Sequence, residues 1–296
     1  MSLRRTTITA ALAAAVLSLS ACGGDDAGGG GGEATVAEAP KFEAGSTMAK
    51  IADAKKIRVG TKFDQPGFGL KGLSGDPEGF DVEVAKIIAG ALGVEGDGIE
   101  WVESPSKVRE ELIEQGKVDL VAATYTINDK RKEKISFAGP YYIAGQQLMV
   151  ATDNNKITKP DDIKANADVK VCSVTGSTPS EQIKKYLASP AQLVLFDVYD
   201  KCADALRTGQ VGVVTTDNVI LLGFVAESEG KFKLVGEQFT EEPYGIGVKK
   251  GDKAFCEFIN KTLKENEEAY NKAWADTAGK VEGAEAPKLP AAAPCA

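Results

Sequence analysis

The apolar positions of this chain alternate between two rhythms. Short apolar runs at residues 57–60, 118–123, 169–174 and 242–248 read as strands, and a further apolar run at 146–152 reads as a crossing into a second domain. Between them, apolar residues recur at helical spacing. Val82, Ala85, Ile88, Ala89 and Leu92 mark a helix that opens at Asp81 and is ended by Gly93. Ser104-Pro105 predicts the start of another, as N-cap and first-turn proline, with Val108, Leu112 and Ile113 facing inward and Gly116 as its stop. Strand, helix, strand, helix, strand is the order of a parallel sheet.

The same unit occurs twice. Residues 111–124 align with residues 204–217: each is a helix, a glycine (Gly116, Gly209), a buried strand and a polar residue at its tip, Thr124 or Asp217. Two lobes of like construction present these tips to each other, and open α/β sheets bind ligands just outside the carboxyl ends of their strands. The expected division is a first lobe of residues 46–151 and 244–296 and a second of residues 152–243. The chain crosses between them near Thr152 and Pro243. Phe255, Phe258, Ile259, Leu263, Tyr270 and Trp274 form the packing face of a helical region over 252–275, and an extended tail follows from Gly279.

Candidate chemistry gathers at the strand tips. The hydroxyls of Thr124 and Thr126 precede Arg131 by one loop. A fixed guanidinium beside hydroxyls and free backbone N–H groups receives a carboxylate, because its planar fork matches two oxygens. The alternative is a solvated arginine within Lys130-Arg131-Lys132. Thr178, followed by Pro179 and Glu181, reads as an N-cap with a capping box, either an anion site or a plain cap. Asp217 is either a carboxylate aimed at a cation or the cap of the helix over 219–224.

Composition narrows the field. The chain has 296 residues, 43% hydrophobic, with net charge −8 and no histidine. That length suffices for one large or two medium domains. The acidic balance argues against nucleic acid as partner. The lack of histidine removes His-based triads, His-ligated zinc and His general bases. At the N-terminus, Arg4 and Arg5 precede an apolar stretch over 8–19 that is too short to span a membrane, so residues 1–21 read as a signal peptide. Leu19-Ser20-Ala21-Cys22 resembles a bacterial lipobox, which implies a lipid on Cys22 and a place on the extracellular face of the membrane. Residues 22–45 begin with a glycine-rich stretch and read as a flexible tether.

In order and spacing, several segments resemble the extracellular solute-binding proteins of amino-acid uptake systems. They are Ile57-Arg58-Val59-Gly60-Thr61, Gly79-Phe80-Asp81-Val82, the runs at 124–131 and 137–142, Gly176-Ser177-Thr178 and Thr216-Asp217. Lys62-Phe63-Asp64-Gln65-Pro66 and the run at 171–178 resemble lipid-anchored glutamate-binding members from Gram-positive, actinobacterial sources. The resemblance implies a two-lobed, periplasmic-binding-protein-like α/β fold of type II, with the ligand cleft between lobes joined by a two-strand hinge. It implies that Arg131 clamps the ligand α-carboxylate with help from Thr124, Thr126 and Thr178, and that Asp217 holds the α-ammonium. Both groups are desolvated in a closed cleft and need partners.

Lys62 stands where members that bind basic amino acids tend to carry an acidic residue, which suggests an acidic ligand side chain; the alternative is a solvated loop lysine. Gln65 stands where members often carry a stacking aromatic, which favours a polar ligand side chain. The expected partners are glutamate, a permease with its ATPase, and the membrane through the lipid; the protein itself is expected to be a monomer without cofactor or metal. Glutamine or aspartate as ligand, and a sensor role toward a membrane kinase, remain open. So does a dehydratase on the same fold, although an enzyme would need an acid or base beside Arg131. Outside the cytoplasm disulfides persist. Cys172 with Cys202 and Cys256 with Cys295 are the expected pairs among three possible connectivities.

Overall fold

The computed structural model describes residues 41–295. The expected signal peptide, the lipid-bearing Cys22 and most of the tether lie outside these residues. In chain order the elements are α1 (Thr47–Ala54), β1 (Ile57–Thr61), β2 (Asp64–Gln65), β3 (Gly69–Leu70), α2 (Phe80–Ala91), β4 (Ile99–Glu103), α3 (Arg109–Glu114), β5 (Leu120–Val121), α4 (Asp129–Lys132) and β6 (Ile135–Ala144). Next come β7 (Gln146–Ala151), α5 (Asp161–Ala165), β8 (Val171–Val174), α6 (Thr178–Gln182), β9 (Leu193–Phe196), α7 (Tyr199–Arg207), β10 (Val213–Asp217), α8 (Asn218–Glu227) and β11 (Phe232–Val235). The chain closes with β12 (Glu242–Lys249), α9 (Lys253–Glu265) and α10 (Glu267–Asp276).

Ten of these strands form two five-stranded sheets, ordered β4-β1-β5-β12-β6 and β11-β7-β10-β8-β9, and β2 pairs with β3 alone. Within each, the strands linked through helices run parallel, β4-β1-β5 in one and β10-β8-β9 in the other. The returning strands β12 and β7 pair antiparallel with their neighbours. The repeat read from the sequence is real in space. α3 leads into β5 through Gly116, and α7 leads into β10 through Gly209, the two glycines at φ 63° and 73°. That left-handed conformation ends a helix at little cost only for glycine.

Three expectations need correction. The sequence division ended the first lobe at residue 151, but β7 pairs with β10 and β11 in the second sheet, so the crossing lies at Gly145. An apolar strand buried on both faces does not announce which sheet it joins. Ser104-Pro105 does not cap a helix: Ser104 N–H donates to Thr61 O at 2.8 Å, extending the β1–β4 pairing, and α3 begins at Arg109. Thr178 is not the N-cap of α6. Ser177 is, its hydroxyl accepting from Ser180 N–H at 3.0 Å, and Thr178 becomes the first helical residue. Gly176, at φ 81°, turns the loop one residue earlier and leaves the Thr178 hydroxyl free for other partners.

The first core lies between the β4-β1-β5-β12-β6 sheet, α2, α9 and α10. The five apolar residues that predicted α2 are all fully buried there, as are Phe255, Ile259 and Tyr270. Full burial of each large aliphatic side chain is worth about 1.5–3 kcal/mol. Both expected disulfides are formed. Cys172–Cys202 ties β8 to α7, and Cys256–Cys295 holds the tail against α9, where Ala293 N–H also donates to Gly139 O at 2.7 Å. Closing loops of this size contributes about 3–4 kcal/mol in the chain-entropy model.

Candidate functional site

The two lobes meet at the strand tips. β5 ends at Val121, and the chain then turns through Thr124, which holds φ at 45°. That conformation is costly for a β-branched residue and persists only when its surroundings hold it. Here the Thr124 N–H donates to Asp81 Oδ2 at 2.7 Å, and its hydroxyl lies 3.0 Å from Gln65 Oε1. Asp81 sits in the first turn of α2, fully buried, and also accepts from the Tyr141 hydroxyl at 2.5 Å. The strained turn sets Thr124 and Thr126 at the wall of a small cavity. Gln65, Ser106 and Arg109 join them from the first lobe; Thr178, Tyr199, Thr216, Asp217 and Ile220 line it from the second.

Several bonds cross between the lobes around this cavity. Tyr244 of β12 donates its hydroxyl to Asp217 Oδ2 at 2.6 Å. Arg131 donates through Nη2 to Gly176 O at 3.1 Å and, within its own lobe, through Nη1 to Thr126 O at 2.6 Å. Its Nε faces Glu110 Oε1 at 3.1 Å. The Thr178 hydroxyl lies 2.7 Å from Glu242 Oε2 and 3.2 Å from the Thr126 hydroxyl.

The predicted residues are therefore brought together, with differences in rank. Thr124, Thr126, Thr178, Gln65 and Asp217 line the cavity. Asp217 is the backbone N-cap of α8, but its side chain makes no capping bond. Oδ1 of that buried carboxylate has no hydrogen-bond partner, so the helix-cap reading fails and the side chain faces the cavity. Arg131, also buried, borders the cleft from its mouth and has much of its guanidinium committed to protein oxygens. Lys62 is buried too, so the solvated-loop reading fails; its Nζ donates to Ser106 Oγ at 2.8 Å, and Ser106 lines the cavity.

Arg109 is the functional candidate that sequence reasoning passed over. It is 2% exposed, donates through Nη1 to Ala123 O at 2.8 Å, and stacks its guanidinium 3.8 Å from the Tyr125 ring centroid. Its Nε has no partner. The signal was present: Arg109 stands three and four residues before Leu112 and Ile113, on the apolar face of the helix. A cation on an inward face is a buried charge in waiting.

Burial sets the electrostatics. The Asp217 carboxyl is pushed up to about 8, first by desolvation and then by the nearby Glu242 carboxylate. Desolvation lifts the Asp81 carboxyl to about 7 against the pull of its hydrogen bonds from Tyr141 and Thr124. The Lys62 ammonium is lowered to about 7 by burial and by the Arg109 guanidinium. Burial also lowers Arg131, to about 10. The cavity thus has a cationic end, Arg109 with Lys62 behind Ser106, and an acidic end at Asp217, whose carboxyl ionises readily only opposite a cation. Each end carries a polar atom with no protein partner, Arg109 Nε and Asp217 Oδ1. Such a pair of ends accommodates a small solute bearing both an anionic and a cationic group.

Residues 57–274 match the family of bacterial extracellular solute-binding proteins, family 3. The glutamate-binding protein GluB of Corynebacterium glutamicum is 42% identical over 217 residues, covering 70% of this chain and 72% of that one. The ABC transporter glutamine-binding protein GlnH of Bacillus subtilis is 39% identical over 228 residues, covering 77% and 82%. Among solved structures, an ancestral arginine-binding protein bound to glutamine superposes with a TM-score of 0.69 at 36% identity, covering 78% of this chain and 99% of that one.

Proposed function

The chain belongs to the bacterial extracellular solute-binding proteins of family 3, and from that premise we propose that it captures glutamate outside the cell and delivers it to a membrane permease driven by an ATPase. Asp217 takes the α-ammonium through its unpartnered Oδ1. The Arg131 N–H groups left over after Thr126 O, Gly176 O and Glu110, with the Thr126 and Thr178 hydroxyls, take the α-carboxylate. Arg109 and Lys62 receive the side-chain carboxylate, with Gln65 and Thr124 over it. A lipid on Cys22 holds the domain near the membrane without embedding it. Binding, not catalysis, is the role we assign to the cleft.

The observation that carries this reading is the pairing of Arg109 Nε and Asp217 Oδ1. Both are buried, both lack partners, and they belong to a guanidinium and a carboxyl group that line the same cavity from different lobes. Glutamine is the second reading, favoured by Gln65, whose buried amide has one end without a partner. Calorimetric titration of the protein from residue 33 onward with glutamate, aspartate, glutamine and arginine tests both. Tight glutamate binding with weak arginine binding supports the assignment. Preference for glutamine removes Lys62 and Arg109 as ion-pair partners, and binding of none of the four refutes the amino-acid site.

A further inference from the structure

The hairpin of β2 and β3 belongs to the first lobe, and it is mounted there rigidly. Its Phe68 is buried against Phe80, Tyr142, Tyr244 and Trp274, and Phe80 N–H and Asp81 N–H at the start of α2 donate to Gly67 O and Phe68 O. The other side of the hairpin reaches the second lobe. Asp64 Oδ2 accepts from Tyr199 N–H, the first backbone donor of α7, at 2.6 Å. Val198, the N-cap of that helix, supplies no side-chain capping bond, so a carboxylate 135 residues away in sequence does so. The backbone of Pro66 rests on α8 at Gly223. A Cβ built there would lie 2.5 Å from Pro66 O, closer than real Cβ atoms come. The glycine is buried in mid-helix, where alanine is otherwise the better residue.

We propose that this hairpin is a closure latch, with Asp64 and Gly223 as its positioning residues. Neither lines the cavity, yet each seats a helix that does: Asp64 holds the start of α7 with Tyr199, and Pro66 rests on α8 one turn beyond Ile220. The latch engages only when the lobes meet, because its two halves sit on different lobes. It therefore holds any bound solute through the closed conformation and does not read which solute is present. Gly223 is retained against helix propensity because the latch needs its bare Cα. The proposal rests on the solute-binding reading for its ligand and on the inter-lobe contacts for its mechanism.

The test uses Gly223→Ala, Asp64→Ala and Asp64→Asn, with glutamate and glutamine as probes. Gly223→Ala is expected to leave the ligand-free thermal midpoint at or above wild type. It should raise the dissociation constants of both probes at least tenfold by the same factor, mainly through faster dissociation. Asp64→Ala is expected to weaken both about fivefold, equivalent to about 1 kcal/mol for a lost cap. Asp64→Asn retains an acceptor and restores most of that loss. Wild-type affinity in Gly223→Ala overturns the latch, as does a loss for one probe only. If wild type binds neither probe, the solute reading fails separately, and X-ray scattering of the ligand-free proteins decides the latch. A larger radius of gyration for Gly223→Ala supports it, and an unchanged radius overturns it.

Discussion

Asp217→Asn sets stability against binding. In the folded protein the Asp217 carboxyl is lifted to about 8, whereas an exposed aspartate titrates near about 3.9. At pH 7, keeping this acid buried costs the folded form on the order of 4 kcal/mol, from about three pH units at about 1.36 kcal/mol each. Asparagine removes that cost and still accepts from the Tyr244 hydroxyl, which now bonds Asp217 Oδ2 at 2.6 Å. Its amide N–H groups face the cavity without partners, which returns about 1–3 kcal/mol. The net is a gain of about 2 kcal/mol, or about 4–8 °C in the midpoint of a domain this size. Glutamate binding moves the other way. A buried ammonium left without its carboxylate costs about 3–5 kcal/mol, so affinity falls by about two to three and a half orders of magnitude. Scanning calorimetry of the ligand-free proteins at pH 7, paired with isothermal titration of glutamate, reads both effects. A variant that melts no higher than wild type, or binds glutamate within about threefold of it, refutes the reasoning that Asp217 is a destabilised acid held for the ligand.

Lys62→Ala should weaken glutamate and aspartate far more than glutamine in calorimetric titration; equal loss for all three takes Lys62 out of side-chain recognition. Arg131→Ala should abolish binding of every amino acid, whereas Arg109→Gln should act mainly on acidic ligands by about 10²-fold or more, the cost of leaving a buried carboxylate unpaired; reversed behaviour exchanges their roles. Asp81 gives a pH signature. Its carboxyl is raised to about 7, so between the ordinary carboxylate range and about 7 the folded protein holds a proton that the unfolded chain has released. Its contribution is therefore greatest at the acid end of that window and is lost as pH rises through about 7. Thermal midpoints of Asp81→Asn relative to wild type should shift in the variant's favour from about pH 4 to about pH 7, and a flat difference refutes the assignment. Lys62, lowered to about 7, has the opposite sign above neutrality: stability is regained as pH rises from about 7 toward the ordinary lysine range.

Part of the site was legible because local rules determine it. The helix over Val82, Ala85, Ile88, Ala89 and Leu92 follows from its spacing alone, and all five residues are buried. The duplicated helix–glycine–strand unit placed Thr124 and Asp217 at facing tips, where they are found. Both expected cysteine pairs are formed, although the chain alone left three connectivities open. Other features were beyond local reading. Whether Asp217 caps α8 or faces a ligand depends on Tyr244, 27 residues away, and on the cavity beyond it. Arg109 hid within a helix whose apolar neighbours drew attention to packing. The cap of α6 moved from Thr178 to Ser177 because a one-residue choice of turn is decided by the contacts of the whole loop.

The sequence by itself determined the two lobes, their α/β character, the absence of histidine chemistry and the strand-tip residues Thr124, Thr126 and Asp217, because periodicity, glycine stops and strand-tip polarity are local properties of the chain. Tertiary structure alone decided which sheet receives residues 146–151 and which arginine faces the cavity. It also decided that Asp64 caps a helix of the opposite lobe. These depend on partners brought from distant positions, and on burial, which turns an ordinary aspartate into an acid near 8 and a lysine into a base near 7.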